Sequence, residues 1–235
     1  MIDHYEWRGG REAMLRFGPD TGPLAIIAMP LFEEANRLRA FAVSLCRALA
    51  ARGIASALPD LPGQGESLLP TEAARFEDWR AAFAAVVVHV GRSGHGIALR
   101  SGAAVDVEAA LVSRWRLAPI AGAAVLAELR RATTNGARAR GETVAVKIDA
   151  DTDAPMLLAG NRIALPLFGA LADDDAVAAT IGVPLRTLRL ASDPLPADRK
   201  VEGAPLWRRA EPGNDLALAA LLADDIAEWI TRCGG

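Results

Sequence analysis

Uninterrupted apolar runs alternate with helical-period segments along most of this chain. LAIIAMP, residues 24–30, has no polar break and reads as a central parallel strand buried on both faces. From there to about Ala51 the apolar residues Leu38, Phe41, Ala42, Leu45 and Leu49 recur at helical spacing, and Gly53 stands where a C-terminal cap belongs. IASALPD is a second buried strand, and it leads into the glycine-punctuated loop PGQGES. A helix is predicted over residues 76–90, with Trp79, Phe83, Val86, Val87 and Val90 on its apolar side. GIALR is a short strand that turns sharply into a helix predicted over residues 103–113. WRLAPIAG supplies another strand, residues 123–131 another helix, and LRTLRLAS a further strand. A last helix carries Leu218, Leu221, Leu222, Ile226 and Trp229, with Asn214 as its predicted cap. At the opposite end, residues 5–8 and 12–17 read as two strands joined through Gly9-Gly10, a hairpin signal.

Strand and helix taking turns in this way predict a doubly wound, mostly parallel sheet with helices on both faces. Functional loops then belong at the carboxyl ends of the strands. Residues 133–155 break the pattern. They are polar, lack aromatics and contain one weakly alternating stretch, residues 143–148. We read one domain over residues 1–235, with residues 133–175 as an insertion or cap. Within that segment LLAGNRIALPLFGAL is apolar enough to pack against the body.

Composition narrows the partners more than the chemistry. Fifty-one per cent hydrophobic and 23% charged residues suit a folded globular chain, and 235 residues suffice for a substantial core. A net charge of −3 offers no basic footprint for nucleic acid. The longest apolar runs are too short to span a bilayer, and the first ten residues lack the charged and apolar regions of a signal peptide. Cys46 and Cys233 are too few for a disulfide framework and fit two reduced thiols in a cytoplasmic protein. The sequence calls for no cofactor and no metal. Asp149, Asp151 and Asp153 imitate the start of a calcium loop, but Ala154 and Gly160 stand where glycine and glutamate are required.

The most informative position is Arg100. A nucleophile elbow places small residues two before and two after the reactive one, and Ala98, Arg100 and Gly102 fit that spacing. A guanidinium stays protonated and cannot attack a carbonyl. Ser101 fits the spacing less well, because Leu99 then falls where strand and helix approach closely. A serine triad also needs a histidine beyond the elbow, and the three histidines, His4, His89 and His95, all precede it. Asp193 follows LRTLRLAS at the expected position of the acid. The sequence thus displays the α/β-hydrolase scaffold without its usual nucleophile or base.

With these segments in place, the chain resembles the second branch of the exosortase A system-associated hydrolases. The likeness rests on Pro30, Phe32, Glu33, Glu34, Asn36, Arg37 and Arg39, then on Asp60, Pro62, Gly63, Gly65 and Ser67. The arginine at the elbow, Trp115, Pro119, Leu129-Arg130 and the LLAGNRIALPLFGAL segment match the same branch. The family's paired prolines are Met29-Pro30 here, and the glycine before its elbow is Ala98. The resemblance implies the α/β-hydrolase fold and an association with exopolysaccharide export and exosortase-linked sorting. It implies no particular reaction, since fold alone does not fix chemistry.

Several readings of the site stand side by side. Glu33 or Glu34 paired with Arg100 would form a partly buried salt bridge, acting as a plug between two loops. Alternatively, Arg100, with Asn36, Arg37, Phe32 and Asp193, lines a pocket for an anionic or saccharide-derived small molecule. A third possibility is hydrolysis through Ser101, or through a water activated by Glu33 or Glu34. A non-catalytic partner subunit is a fourth, and the chain is compatible with a homo-oligomer. Trp207, ahead of Arg208-Arg209, is placed along the cleft.

Overall fold

The computed structural model describes residues 1–142, 154–175 and 182–234. The stretch of residues 143–148 and the aspartates at 149, 151 and 153 lie outside the described residues.

The apolar runs become the strands of one eight-stranded sheet. Strands β1 (Ile2–Trp7) and β2 (Gly10–Phe17) form the predicted hairpin, with Trp7 facing Gly10 across the turn. β2 runs antiparallel to β4 (Ala55–Pro59). From there β3 (Leu24–Ala28), β5 (His95–Leu99), β6 (Ser113–Leu117), β9 (Leu185–Leu190) and β10 (Arg199–Val201) are all parallel. The order across the sheet is β1-β2-β4-β3-β5-β6-β9-β10. This is the predicted α/β architecture, mostly parallel and doubly wound.

Both faces of the central strands are buried, and the two-residue period divides them between two cores. Ala25, Ile27, Ile97 and Leu99 pack into one layer with α1 (Glu33–Ala50) and α5 (Leu216–Arg232). Leu24, Ile26, Ala28 and Ala98 face the other, with α2 (Phe76–Val90), α3 (Gly122–Ala139) and α4 (Leu165–Ala172). An uninterrupted apolar run is what a strand needs when neither face meets water.

Three local expectations are corrected, and one strand was not anticipated. The helix expected over residues 103–113 is only a single 3-10 turn, Arg100–Ala104. Beyond it, the carbonyls of Asp106, Val107 and Ala109 accept hydrogen bonds from Arg114 Nη2, and Arg116 Nη2 reaches the Asp106 carboxylate at 3.2 Å. These arginine contacts hold residues 106–109 in a non-helical path. The helix α3, expected to stop near Arg131, runs on to Ala139. Thr133 and Thr134 are tolerated there because each hydroxyl donates to the carbonyl four residues earlier. The cap of α5 is Asp215, whose side chain accepts from the Leu218 N–H, while Asn214 donates instead to Ser44 Oγ on α1. The short strand β10 carried too few residues to register as a pattern.

The LLAGNRIALPLFGAL segment folds as a hairpin, β7 (Met156–Leu158) and β8 (Asn161–Ile163), followed by α4. Its turn residues Ala159 and Gly160 both have positive φ, at 48° and 86°. Two such residues in succession suit a tight hairpin turn. Leu158, Ile163, Leu167 and Leu171 anchor this unit to the body.

Candidate functional site

The site is built where β3, β5 and β6 end side by side. Arg100 directly follows β5 with φ 53°, so it occupies the strained corner of an elbow. Gly102 is required there: a Cβ at that position would stand 2.2 Å from the Ala28 carbonyl oxygen. Ala118 after β6 (φ 45°) and Phe32 after β3 (φ 58°) share the left-handed region. With Ala159, these are the four non-glycine residues of positive φ among the described residues. Each such conformation costs on the order of 1–3 kcal/mol, and clusters of them are typical of functional sites.

Each of the three Arg100 guanidinium nitrogens has an acceptor. Its Nε and Nη2 reach the two Glu34 oxygens at 3.2 and 2.9 Å, a bidentate pair. Nη2 also contacts both Glu128 oxygens, at 3.1 and 3.2 Å, and Nη1 donates to the Ala118 carbonyl at 3.4 Å. The Trp207 ring lies against the guanidinium, 4.7 Å from its centroid to Arg100 Cζ. Only 5% of Arg100 is exposed. Glu34 stands in the first turn of α1, where a carboxylate suits the helix dipole. Burial nonetheless pushes its pKa up to about 7: Arg100 works to lower it, whereas the neighbouring Glu128 adds to the rise.

A cleft of about 560 Å³ lies beside this cluster; Glu34 and Glu128 line it, whereas Arg100 does not. Glu33, Glu34 and Glu128 line it together with Arg37, Arg131 and Arg208, and Leu31, Val125, Leu129 and Trp207 supply apolar walls. Glu33 does not join the ion cluster. It accepts from Asn161 Nδ2 at 3.3 Å and so ties the β7–β8 hairpin to α1. Arg37 Nη1 donates to the Trp207 carbonyl at 3.1 Å.

The other predicted site residues are placed differently. Phe32 is buried, stacks edge-on against Trp79 at 5.7 Å and donates its N–H to Gln64 Oε1. Asn36 is exposed and faces a separate depression beside the 60–67 loop. Asp193 does not line the cleft. It pairs with Arg189 at 2.7 Å and accepts from the Leu195 N–H, contacts that together hold its pKa low against burial. None of these three residues lines the cleft, although the sequence assigned all of them to a pocket with Arg100.

Ser101 is 1% exposed, and its Oγ accepts the Leu31 N–H at 2.9 Å. That N–H comes from the loop after β3, the usual source of an oxyanion-hole donor in this fold. The hydroxyl thus occupies the donor rather than leaving it open. His95 begins β5, roughly 16 Å from Arg100 at strand rise, and its Nδ1 meets Ser113 Oγ at 2.9 Å. His89 contacts Asp3 on β1, and His4 is exposed on the same strand. No histidine of the chain reaches Ser101 from these positions.

Glu128 is the member that sequence reasoning missed. The signal was an acidic residue three positions after Val125 and next to Leu129, on the buried side of α3.

No protein-family model matches this chain, and no curated protein matches it. Its similarity is to solved structures. Est1E from Butyrivibrio proteoclasticus aligns at a TM-score of 0.62 with 13% identity, covering 99% of this chain and 98% of that one. The esterase domain of a Rhodothermus marinus protein gives 0.58 with 19% identity, over 99% and 98%. An alpha/beta hydrolase from Sphaerobacter thermophilus gives 0.56 with 18% identity, over 95% and 100%. At these identities the likeness is one of fold, and the chain has the α/β-hydrolase fold.

Proposed function

We propose that this protein is a binding member of the α/β-hydrolase superfamily that operates no Ser-His-Asp triad. It takes a small molecule into the cleft beside the Arg100–Glu34–Glu128 cluster, in the cytoplasm and in association with an exopolysaccharide or exosortase system. The observation that carries the reading is Arg100 itself. At the elbow corner, with φ 53°, it is clamped by Glu34 and Glu128 where a nucleophile would need to be free. The sealed Ser101 hydroxyl and the absence of a histidine partner support the same conclusion. Strain gathered at the strand ends next to the cleft, at Phe32, Arg100 and Ala118, argues for a binding role over a mere plug. The β7–β8 hairpin and α4, the described part of the expected cap, serve as the cap, because Ala159 lines the cleft and Asn161 holds Glu33. The link to exosortase systems rests on the sequence resemblance alone. Among the described residues no helix is long and apolar enough to cross a membrane.

One observation favours a second reading. A carboxyl group raised to about 7 beside a cleft suits a general base, which would activate water at Glu34.

A panel of short-chain p-nitrophenyl esters distinguishes the two, using the unaltered protein, Ser101→Ala and Glu34→Gln. The binding reading expects no turnover above heat-inactivated protein in any of them. Turnover lost only in Glu34→Gln would establish the second reading, and turnover lost in Ser101→Ala would overturn both.

A further inference from the structure

The charged residues at the cleft differ in exposure and in how far they are already paired, and this difference identifies the ligand's chemistry. The inference rests on the reading of the cleft as a ligand site. Arg100 is buried beside the cleft rather than lining it, and each of its three nitrogens already has an acceptor among Glu34, Glu128 and the Ala118 carbonyl. An anion placed there would have to displace a carboxylate from a buried pair, a costly exchange. Arg100 is therefore not the anchor for an anion, contrary to the expectation from sequence.

The rim is different. Arg37 comes from α1, Arg131 from α3 and Arg208 from the turn Leu206–Arg208, and all three line the same cleft. Arg131 is 67% exposed and only 3.8 Å from Glu128. Arg37 spends one donor on the Trp207 carbonyl. Neither Arg37 nor Arg208 has a carboxylate partner within 4 Å among the described residues. Guanidinium groups converging from three elements offer forked donors of the kind that match a phosphate or carboxylate. In the same cleft, Glu33, Glu34 and Glu128 present acceptors, which suit ligand hydroxyls and repel a second anion.

We propose that Arg37, Arg131 and Arg208 receive the oxyanion of a polyhydroxylated ligand whose hydroxyl groups face Glu33, Glu34 and Glu128. A sugar phosphate and a uronic acid share this chemistry, and the test distinguishes them.

The experiment is isothermal titration of the full chain with glucose 1-phosphate, glucuronate and glucose. The expected result is that at least one anionic probe binds at least about tenfold more tightly than glucose, a margin of about 1.4 kcal/mol. The stronger of the two anions identifies phosphate or carboxylate as the group recognised. Arg208→Ala and Arg131→Ala, both at solvent-facing positions, should each weaken that anion about tenfold and leave glucose unchanged. Arg37→Lys keeps a donor for the Trp207 carbonyl and should weaken it too, through loss of the fork. Equal affinity for glucose and the anions, or no effect of the rim substitutions, overturns the rim assignment while leaving the cleft a ligand site. Silence from all three probes also overturns it. Reaction of Ser101 with a fluorophosphonate in the same preparation would instead show that the underlying non-triad reading has failed.

Discussion

Arg100 Nη2 lies 2.9 Å from Glu34 Oε1 and 3.1 Å from Glu128 Oε1, so one guanidinium bridges two carboxylates from different helices. The elbow of β5, the start of α1 and the middle of α3 are thereby pinned together at the carboxyl edge of the sheet. Removing the bridge leaves two carboxylates facing each other, one of them nearly buried. Arg100→Ala is expected to destabilise the fold by about 3–5 kcal/mol, measured by urea denaturation. Glu128→Gln should cost much less, about 0–1 kcal/mol, because that carboxylate is one-third exposed.

Glu34 makes stability depend on pH. Its folded pKa of about 7 stands above the ordinary glutamate value of 4.5, so folding favours the protonated form. The resulting stability is fully present below about 4.5 and is lost as pH rises through about 7. Arg100 and Glu128 are the charged groups in contact with it, and Arg37 and Arg131 line the same cleft. Relative to Glu34→Gln, the unaltered protein should lose stability between about pH 5 and pH 8, by at most about 1.4 kcal/mol per unit. Parallel denaturation curves for the two proteins at several pH values check this; a constant difference would contradict it.

Asp225 on α5 behaves in the opposite sense. It is 1% exposed and accepts from Trp115 Nε1, Arg186 and Arg199, which tie α5 to β6, β9 and β10. Burial works to raise its pKa, but these donors outweigh burial and hold it at about 2. Its contribution is present above about 3.8 and disappears as pH falls through about 2. Asp225→Asn should destabilise by about 3–5 kcal/mol at neutral pH, since two arginines lose their shared partner, and the thermal midpoint would report it.

Gly102→Ala tests the elbow itself. Its new methyl would meet the Ala28 carbonyl, a rigid backbone atom, at 2.2 Å. A loss of about 1–3 kcal/mol or more is expected, seen in the denaturation midpoint. An unaffected midpoint would mean that the strand-to-turn corner is looser than described.

Much of this was legible in the sequence, for physical reasons that differ by element. Strands β3 and β5 announced themselves because burial on both faces demands an unbroken apolar run. Helix α2 matched its prediction at both ends, since Trp79, Phe83 and Val86 hold one face at helical spacing and Gly91 adopts the left-handed cap. The shortened elbow turn was not legible, because nothing local shows that Arg114 and Arg116 reach back to Asp106. The site was half legible. Arg100 and Glu34 stood out through elbow spacing and the first turn of α1, but Glu128 enters only through the packing of α3. Asp193 occupied a plausible position for an acid, and a neighbour four residues earlier, Arg189, claimed it instead. Spacing along the chain fixes which strand end a residue occupies, whereas pairing among charges is decided by tertiary proximity.

The most direct test of the central claim is intact-mass analysis after exposure to a fluorophosphonate, which phosphonylates an activated serine. With Arg100 at the elbow and Ser101 buried against the Leu31 N–H, the mass should remain unchanged on native protein. A single stoichiometric adduct that maps to Ser101 and vanishes in Ser101→Ala would contradict the account and show a working nucleophile at this elbow.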